Sequence, residues 1–243
     1  MIINQTKDYA LINKPAGLVV HADGKTNEPT LCDFLLENFP GIENVGEPLK
    51  LNNGTTINRP GIVHRLDRDT SGVMLVVLNT EAFAYYKKQF QDRAIRKTYH
   101  AFVYENIKED RGIINEPIGR SRNDFRQWQA GDKARGEMRE AITEFTVLGR
   151  ATDKSFTFVE AKPKTGRTHQ IRVHFKYLFH PLVADSLYAP DRENKLGFKR
   201  LALHSRDLEF VDIDGKIVKA EAPYPEDFEN ALKSPLLEVV KTA

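Results

Sequence analysis

The longest uninterrupted aliphatic run in the chain is VMLVVL at residues 73–78, six residues rich in branched side chains. A helix that crosses a membrane needs ~20 apolar residues in succession, so this run cannot be one; it reads instead as a strand buried on both faces. The flanking sequence is read in the same way. Residues 8–20 form two short strands about a Lys14-Pro15-Ala16-Gly17 turn, where proline presets one dihedral and glycine frees the next. Thr30 and Asp33 have capping-box spacing ahead of Leu31, Phe34, Leu35 and Phe39, which predicts a short helix. Residues 40–61, rich in Gly, Pro and Asn, form a loop that returns to structure at Ile62 and Val63. Thr80 is read as the cap of a helix carrying Phe83, Tyr86 and Phe90, and residues 98–104, 140–148 and 156–161 as further strands. Strands outnumber helices without a regular βαβ alternation, so the fold class is α+β: a mixed, mostly antiparallel central sheet with flanking helices.

A chain of 243 residues fits one large domain, and 1–243 is read as a single domain. With 36 Lys and Arg against 34 Asp and Glu the formal charge is only +2, so the distribution of charge has to identify any polyanionic partner. The single cysteine, Cys32, excludes an intramolecular disulfide and a cysteine zinc cage. The opening MIINQTKDYA lacks the basic and apolar halves of a signal peptide, and a cytoplasmic location is expected. No GxGxxG, P-loop, GxSxG or HExxH pattern is present, and His169 and His174 are five residues apart, off a common helical face; neither cofactor nor metal is expected.

Two segments concentrate chemistry. Residues 59–72, RPGIVHRLDRDTSG, place His64, Arg65, Asp67, Arg68, Asp69, Thr70 and Ser71 at a strand junction. A carboxylate flanked by two arginines has its ionised form favoured, which suits Asp67 as a nucleophile or base. The same composition also fits a surface turn in which Asp67 and Asp69 cap amides and the arginines are solvated, and spacing does not separate the two. Residues 161–184 contain no acidic side chain but hold Lys162, Lys164, Arg167, Arg172 and Lys176 with three histidines. If a helix starts after a Thr168 cap, His169, Arg172 and Lys176 share one face and Ile171, Phe175 and Leu178 another, and the preceding 165–168 turn leaves amides for a phosphate. A solvated amphipathic helix is the more frequent fate of such a stripe. Residues 120–139, with Arg120, Arg122, Arg126, Trp128, Lys133, Arg135 and Arg139, read as an exposed loop or irregular hairpin; they offer RNA contact, or Trp128 packs on the core.

The block His64-Arg65-Leu66-Asp67-Arg68-Asp69-Thr70-Ser71-Gly72 resembles the HRLDxxTSG signature of the RluA-type pseudouridine synthases. Residues 13–21 (NKPAGLVVH), 96–99 (RKTY), 164–174 (KTGRTHQIRVH) and 203–205 (LHS) resemble further family blocks in the family's order, so the likeness runs from about residue 8 to 225. It implies that Asp67 is the essential aspartate, that Tyr99 stacks on the target base and moves its C5 proton, that Arg172 is the basic partner of Asp67, and that Ile171 walls the base pocket. Arg65 either holds open the space of an extruded base or forms a structural salt bridge, and Arg167, His169 and Lys176 are the remaining substrate-binding candidates. The resemblance implies an isomerase that cuts the N1–C1′ bond of uridine, turns the uracil and joins C5 to C1′, on a base extruded from a tRNA or ribosomal RNA stem-loop. Attack on C1′, attack on C6 and removal of the 2′ proton all need Asp67 ionised. Many relatives carry an N-terminal S4 RNA-binding domain; none is expected here, and a monomer is. The rival readings are a non-catalytic RNA-binding protein or RNA-folding helper on the same fold, and a nucleoside or glycoside hydrolase using Asp67 with Asp69.

Overall fold

The computed structural model describes residues 1–22, 27–50, 54–132 and 134–240. In chain order the elements begin with β1 (Ile2–Gln5), β2 (Tyr9–Lys14), α1 (Leu31–Asn38), a 3-10 turn (Ile42–Asn44), β3 (Leu49–Lys50), β4 (Thr56–Ile57), β5 (Ser71–Val77), α2 (Thr80–Gln91) and β6 (Arg96–Tyr104). They continue with β7 (Arg111–Asn115), β8 (Ile118–Arg120), β9 (Trp128–Ala130), β10 (Arg135–Arg139), β11 (Ile142–Ala151), β12 (Phe156–Pro163), α3 (Gln170–Tyr177), β13 (Leu203–Val211), β14 (Ile217–Glu221), α4 (Glu226–Leu232) and β15 (Leu237–Val239). The contacts group the chain into two compact units, Met1–Arg96 with Asp207–Pro223, and Lys97–Arg206 with Tyr224–Ala243.

In the first unit β2 lies between β1 and β5 in antiparallel register, with Leu11 opposite Leu75 and Lys14 opposite Gly72. Every residue of β5 is buried, as its unbroken apolar run requires. The rings of Tyr9, Tyr86 and Phe210 meet edge to face at 5.2–5.7 Å, fastening α2 and the β13–β14 hairpin to this core. Thr30 caps α1 with the reciprocal Asp33 bonds of a capping box. The cap of α2 is Asn79, not Thr80: the Asn79 side-chain Oδ1 accepts the Ala82 amide at 2.8 Å, and its Nδ2 donates to Asp8 Oδ1 at 2.9 Å. The stronger cap won because a second partner holds its side chain in place. Beyond the 14–17 turn the expected second strand reduces to one bridge between Val19 and Thr30, and the 40–61 loop encloses the 3-10 turn and the β3–β4 pair.

In the second unit β12 lies between β6 and β11, antiparallel to both, and β7 and β15 pair with opposite ends of β11. The aromatic core of Phe102, Phe156, Phe158, Phe198 and Phe228 packs with centroids 4.7–5.8 Å apart, each ring worth about 1.5–3 kcal/mol of burial. Of the two readings of residues 120–139 the irregular hairpin holds: they contribute to a three-stranded antiparallel sheet ordered β10-β8-β9. The strands are three to five residues long, interrupted by a register shift, and β10 is exposed throughout, which is why no alternation shows in the sequence. Trp128 packs on the cluster of Ile118, Ala130, Ala141, Val173 and Tyr188, under the Arg120 guanidinium at 4.2 Å. Lys133 lies outside the described residues. Among the described residues no helix is long and apolar enough to cross a membrane.

Candidate active site

The chain reaches Asp67 along a track laid against β5. Gly61 has φ +69°, and a Cβ there would run into the Val77 carbonyl and the Val76 side chain, so only glycine permits the approach. Its amide donates to the Val45 carbonyl at 2.8 Å and its carbonyl accepts from Val77 at 3.0 Å, after which Ile62 bridges Val76. His64 then accepts the Leu75 amide on Nε2 at 2.9 Å, which puts the proton of the neutral ring on Nδ1, and the ring stacks on Phe90 at 4.4 Å. Leu66 is buried. Asp67 follows, half-buried, at the start of a turn closed by the Thr70 amide on the Asp67 carbonyl at 3.2 Å, with Thr70 and Ser71 buried behind it.

Lys14 holds this turn from beneath. It is fully buried, and its ammonium donates to the carbonyls of Pro15, Leu18 and Arg68 at 2.7–2.8 Å. Gly17 and Arg68 exchange a further pair of bonds, amide to carbonyl at 3.0 Å and Arg68 Nε to carbonyl at 3.2 Å. The 13–21 and 64–72 blocks are therefore one structure, joined by a lysine that the sequence reading left without a role. Its signal was a lone cation closing a strand that is apolar but for Asn13. Arg65 is exposed, with Nη1 3.3 Å from His21 Nε2, and Arg68 pairs with Glu28 at 2.7 Å.

In the second unit Tyr99 sits on β6 opposite Ala161 and is nearly buried. Helix α3 begins not after a Thr168 cap but after His169, whose left-handed backbone (φ +56°) makes no side-chain cap. A buried amide replaces the cap: Gln170 Oε1 accepts the Arg167 amide at 3.0 Å and the Thr165 hydroxyl at 2.6 Å, while its Nε2 donates to the Ile142 carbonyl and Thr143 Oγ1, each at 3.0 Å. The Arg167 amide is thus already used inside the protein, contrary to the free amides expected of that turn. His174 extends the network to Thr143 Oγ1 and the Glu116 carbonyl at 2.8 and 3.0 Å, and burial lowers its pKa.

The expected division of α3 into a packing face and a binding face is also corrected. Ile171, Arg172, Val173, His174 and Phe175 are all buried. Arg172 forms a bidentate pair with Asp185, Nε to Oδ2 at 2.7 Å and Nη2 to Oδ1 at 2.8 Å, and Asp185 also accepts the Leu187 and Tyr188 amides at 3.1 Å. The three members of the basic stripe meet at Tyr188: His169 Nδ1 is 2.9 Å from its hydroxyl, and the Arg172 and Lys176 charges lie 4.9 and 5.2 Å from its ring centre. An aromatic ring supplied from elsewhere in the chain gathers side chains that helical spacing alone assigns to solvent. Lys176 stays exposed, while Arg167 is half-buried with Nε donating to the Glu140 carbonyl at 3.0 Å. Asp185 and Tyr188 were missed in the sequence; the available signal was that Asp185 is the first acid after the acid-free stretch. Among the described residues no cluster of three or more His, Cys, Asp or Glu is placed to hold a metal.

Comparison with known proteins identifies the family. Residues 8–177 match the RNA pseudouridylate synthase family. An uncharacterized RNA pseudouridine synthase of Bacillus subtilis, YlyB, is 37% identical over 96% of this chain and 72% of its own length. The ribosomal large subunit pseudouridine synthase D of Zymomonas mobilis is 32% identical over 96% and 71%. Among solved structures, human RNA pseudouridylate synthase domain containing 1 superposes with a TM-score of 0.73 at 28% identity, over 92% of this chain and 83% of that one. The resemblance read from the ordered sequence blocks and the α+β fold therefore hold, and the chain belongs to the RNA pseudouridylate synthase family, a family of isomerases.

Proposed function

We propose that the protein isomerises selected uridines of a structured RNA to pseudouridine, with Asp67 as the essential carboxylate. One observation carries this reading: the matched segment 8–177 contains Asp67, Tyr99, Ile171 and Arg172 together, and the turn bearing Asp67 is anchored on both sides, by His64 to β5 and by Lys14 to the Arg68 carbonyl. Such anchoring supports a carboxylate that must act from a fixed position.

In the reaction the N1–C1′ bond breaks, the uracil turns, and C5 joins C1′; the C5 proton leaves and N1 ends protonated, so atoms and electrons balance without a cofactor or metal. Asp67 works as the anion. Arg172, which cannot lose its charge, is its basic partner, and the Asp185 fork fixes the direction of that guanidinium. Tyr99 stacks on the extruded base and moves the C5 proton, with Ile171 as a wall of the base pocket. Extrusion costs a few kcal/mol, which stacking and phosphate contacts offset. Arg65, Arg167, His169 and Lys176, none of them fully buried, are assigned to the RNA strand. The substrate is a tRNA or ribosomal RNA stem-loop in the cytoplasm, bound by a monomer, with 1–243 acting as one catalytic domain. The Zymomonas relative, a ribosomal large subunit pseudouridine synthase, makes ribosomal RNA the first substrate to try.

The test is tritium release from tRNA and ribosomal RNA labelled at uridine C5, prepared from cells lacking the protein, with wild type compared with Asp67→Asn and Asp67→Ala. Release by wild type alone is expected. Binding without release from any fraction would favour a non-catalytic RNA-binding protein, and turnover of free uridine would favour a hydrolase.

A further inference from the structure

The first unit contains a cavity of about 250 Å³ that ends at the residues leading into Asp67. Its walls include three basic side chains, Arg59, Arg65 and Lys87, against one carboxylate, Glu47, which pairs with Lys87. Ile62 and Phe83 supply buried apolar surface on the same walls. Arg59 is poorly used by the protein itself. Its Nε is buried without a hydrogen-bond partner, and its Nη2 lies at a long 3.4 Å from the Glu47 carbonyl. A guanidinium with donors to spare in a cationic pocket calls for an anion with several acceptor oxygens.

We propose that this cavity binds a phosphodiester group of the RNA strand beside the target uridine. The volume lies below the range that encloses a drug-sized ligand, and suits a phosphate with part of its ribose set against the apolar wall. The position fits as well, on the reading that Asp67 is the catalytic carboxylate. Arg65 lines the cavity and precedes Asp67 by two residues, at most about 7 Å of extended chain, so backbone adjacent to a uridine held at Asp67 comes within reach of the pocket. Arg59 supplies the fork, Lys87 the point charge, and Glu47 limits the net attraction so that the strand can leave.

The experiment measures the affinity of a fluorescein-labelled oligouridylate across a salt series for wild type, Lys87→Ala, Arg59→Lys and Lys216→Ala, the last an exposed lysine outside the cavity. Loss of one phosphate contact by Lys87→Ala should lower the slope of log affinity against log salt by about 0.7. Arg59→Lys keeps the charge but loses the fork, and should weaken binding about tenfold with little change of slope. Thermal melts report whether Arg59→Lys folds, and Lys87, on the surface of α2, keeps the test interpretable if it does not. Wild-type affinity and slope in Lys87→Ala and in folded Arg59→Lys would overturn the assignment, as would an equal effect of Lys216→Ala. Displacement of the oligonucleotide by uridine monophosphate at matching phosphate concentration would identify a mononucleotide ligand and overturn the strand assignment. If wild type shows no salt-dependent RNA affinity and no tritium release, the proposed function itself fails; salt-dependent binding that ignores both pocket variants sinks only the pocket.

Discussion

Removing the carboxylate of Asp185 probes the arrangement around α3 most directly. Asp185 is wholly buried and Arg172 is 8% exposed, so Asp185→Ala takes the forked carboxylate from a guanidinium that cannot shed its charge. It also deprives the Leu187 and Tyr188 amides of their acceptor. Breaking a buried pair from one side costs about 3–5 kcal/mol, because desolvation of the remaining charge is no longer compensated. At 2–4 °C of melting temperature per kcal/mol for a chain of this size, a loss of about 4 kcal/mol lowers the midpoint by roughly 8–16 °C. Differential scanning calorimetry reads this shift. Asp185→Asn, which keeps an acceptor for the two amides, should fall between the alanine variant and wild type. The double variant Arg172→Met/Asp185→Leu removes both charges and should recover most of the stability, since replacing a buried pair with apolar side chains is often neutral. Its tritium release should stay absent, which separates the structural part of Arg172 from its proposed chemistry. A midpoint within about 3 °C of wild type for Asp185→Ala would refute the argument, because a solvated pair contributes no more than that.

Acid should destabilise the protein through the half-buried His100. The pKa of His100 is pushed down from 6.5 to about 3, mainly by burial and then by Arg206, His204 and Lys162, so the folded state keeps the ring neutral. The unfolded chain takes up that proton first; this stability is intact above pH ~6.5 and is lost as the pH falls toward 3, at about 1.4 kcal/mol per pH unit. Urea midpoints should drop between pH 7 and pH 5, and His100→Asn should flatten the drop; an unchanged slope would exclude His100 as its source. Cys32, pushed up to about 12 chiefly by burial, should resist iodoacetamide at mild alkaline pH and label only on unfolding, as intact mass would show; rapid labelling of the native protein would contradict its burial. Thr30→Ala deletes the capping box of α1 and should lower stability by about 1 kcal/mol in urea titration, with Thr30→Ser losing less; equal stability of all three would mean that the cap is redundant.

What was legible in the sequence came from local rules and from order. Five residues of the apolar run, 73–77, lie in the fully buried β5 because run length acts through the pleat of a single strand, while Leu78 lies just beyond it, half-buried. The Thr30–Asp33 capping box formed as spaced, since both partners lie within one helical turn. The family read from the ordered blocks is the one whose model matches residues 8–177. Where two candidates competed for one helix start, as Asn79 did with Thr80, a contact to Asp8 far along the chain settled the choice.

Tertiary structure decided the partners. Nothing local to Lys14 says that its ammonium will meet the Arg68 carbonyl, and nothing in the spacing of α3 says that Asp185 will fork onto one edge of Arg172 while Tyr188 gathers His169 and Lys176. Periodicity specifies which direction a side chain leaves its own helix or strand; what it meets there depends on where distant segments are brought, and burial then sets whether a charge is solvated or must be paired. The sequence by itself thus determined the strands, the capped helix and the family, while the fold alone determined which of its charged residues became buried scaffolding and which remained at the surface.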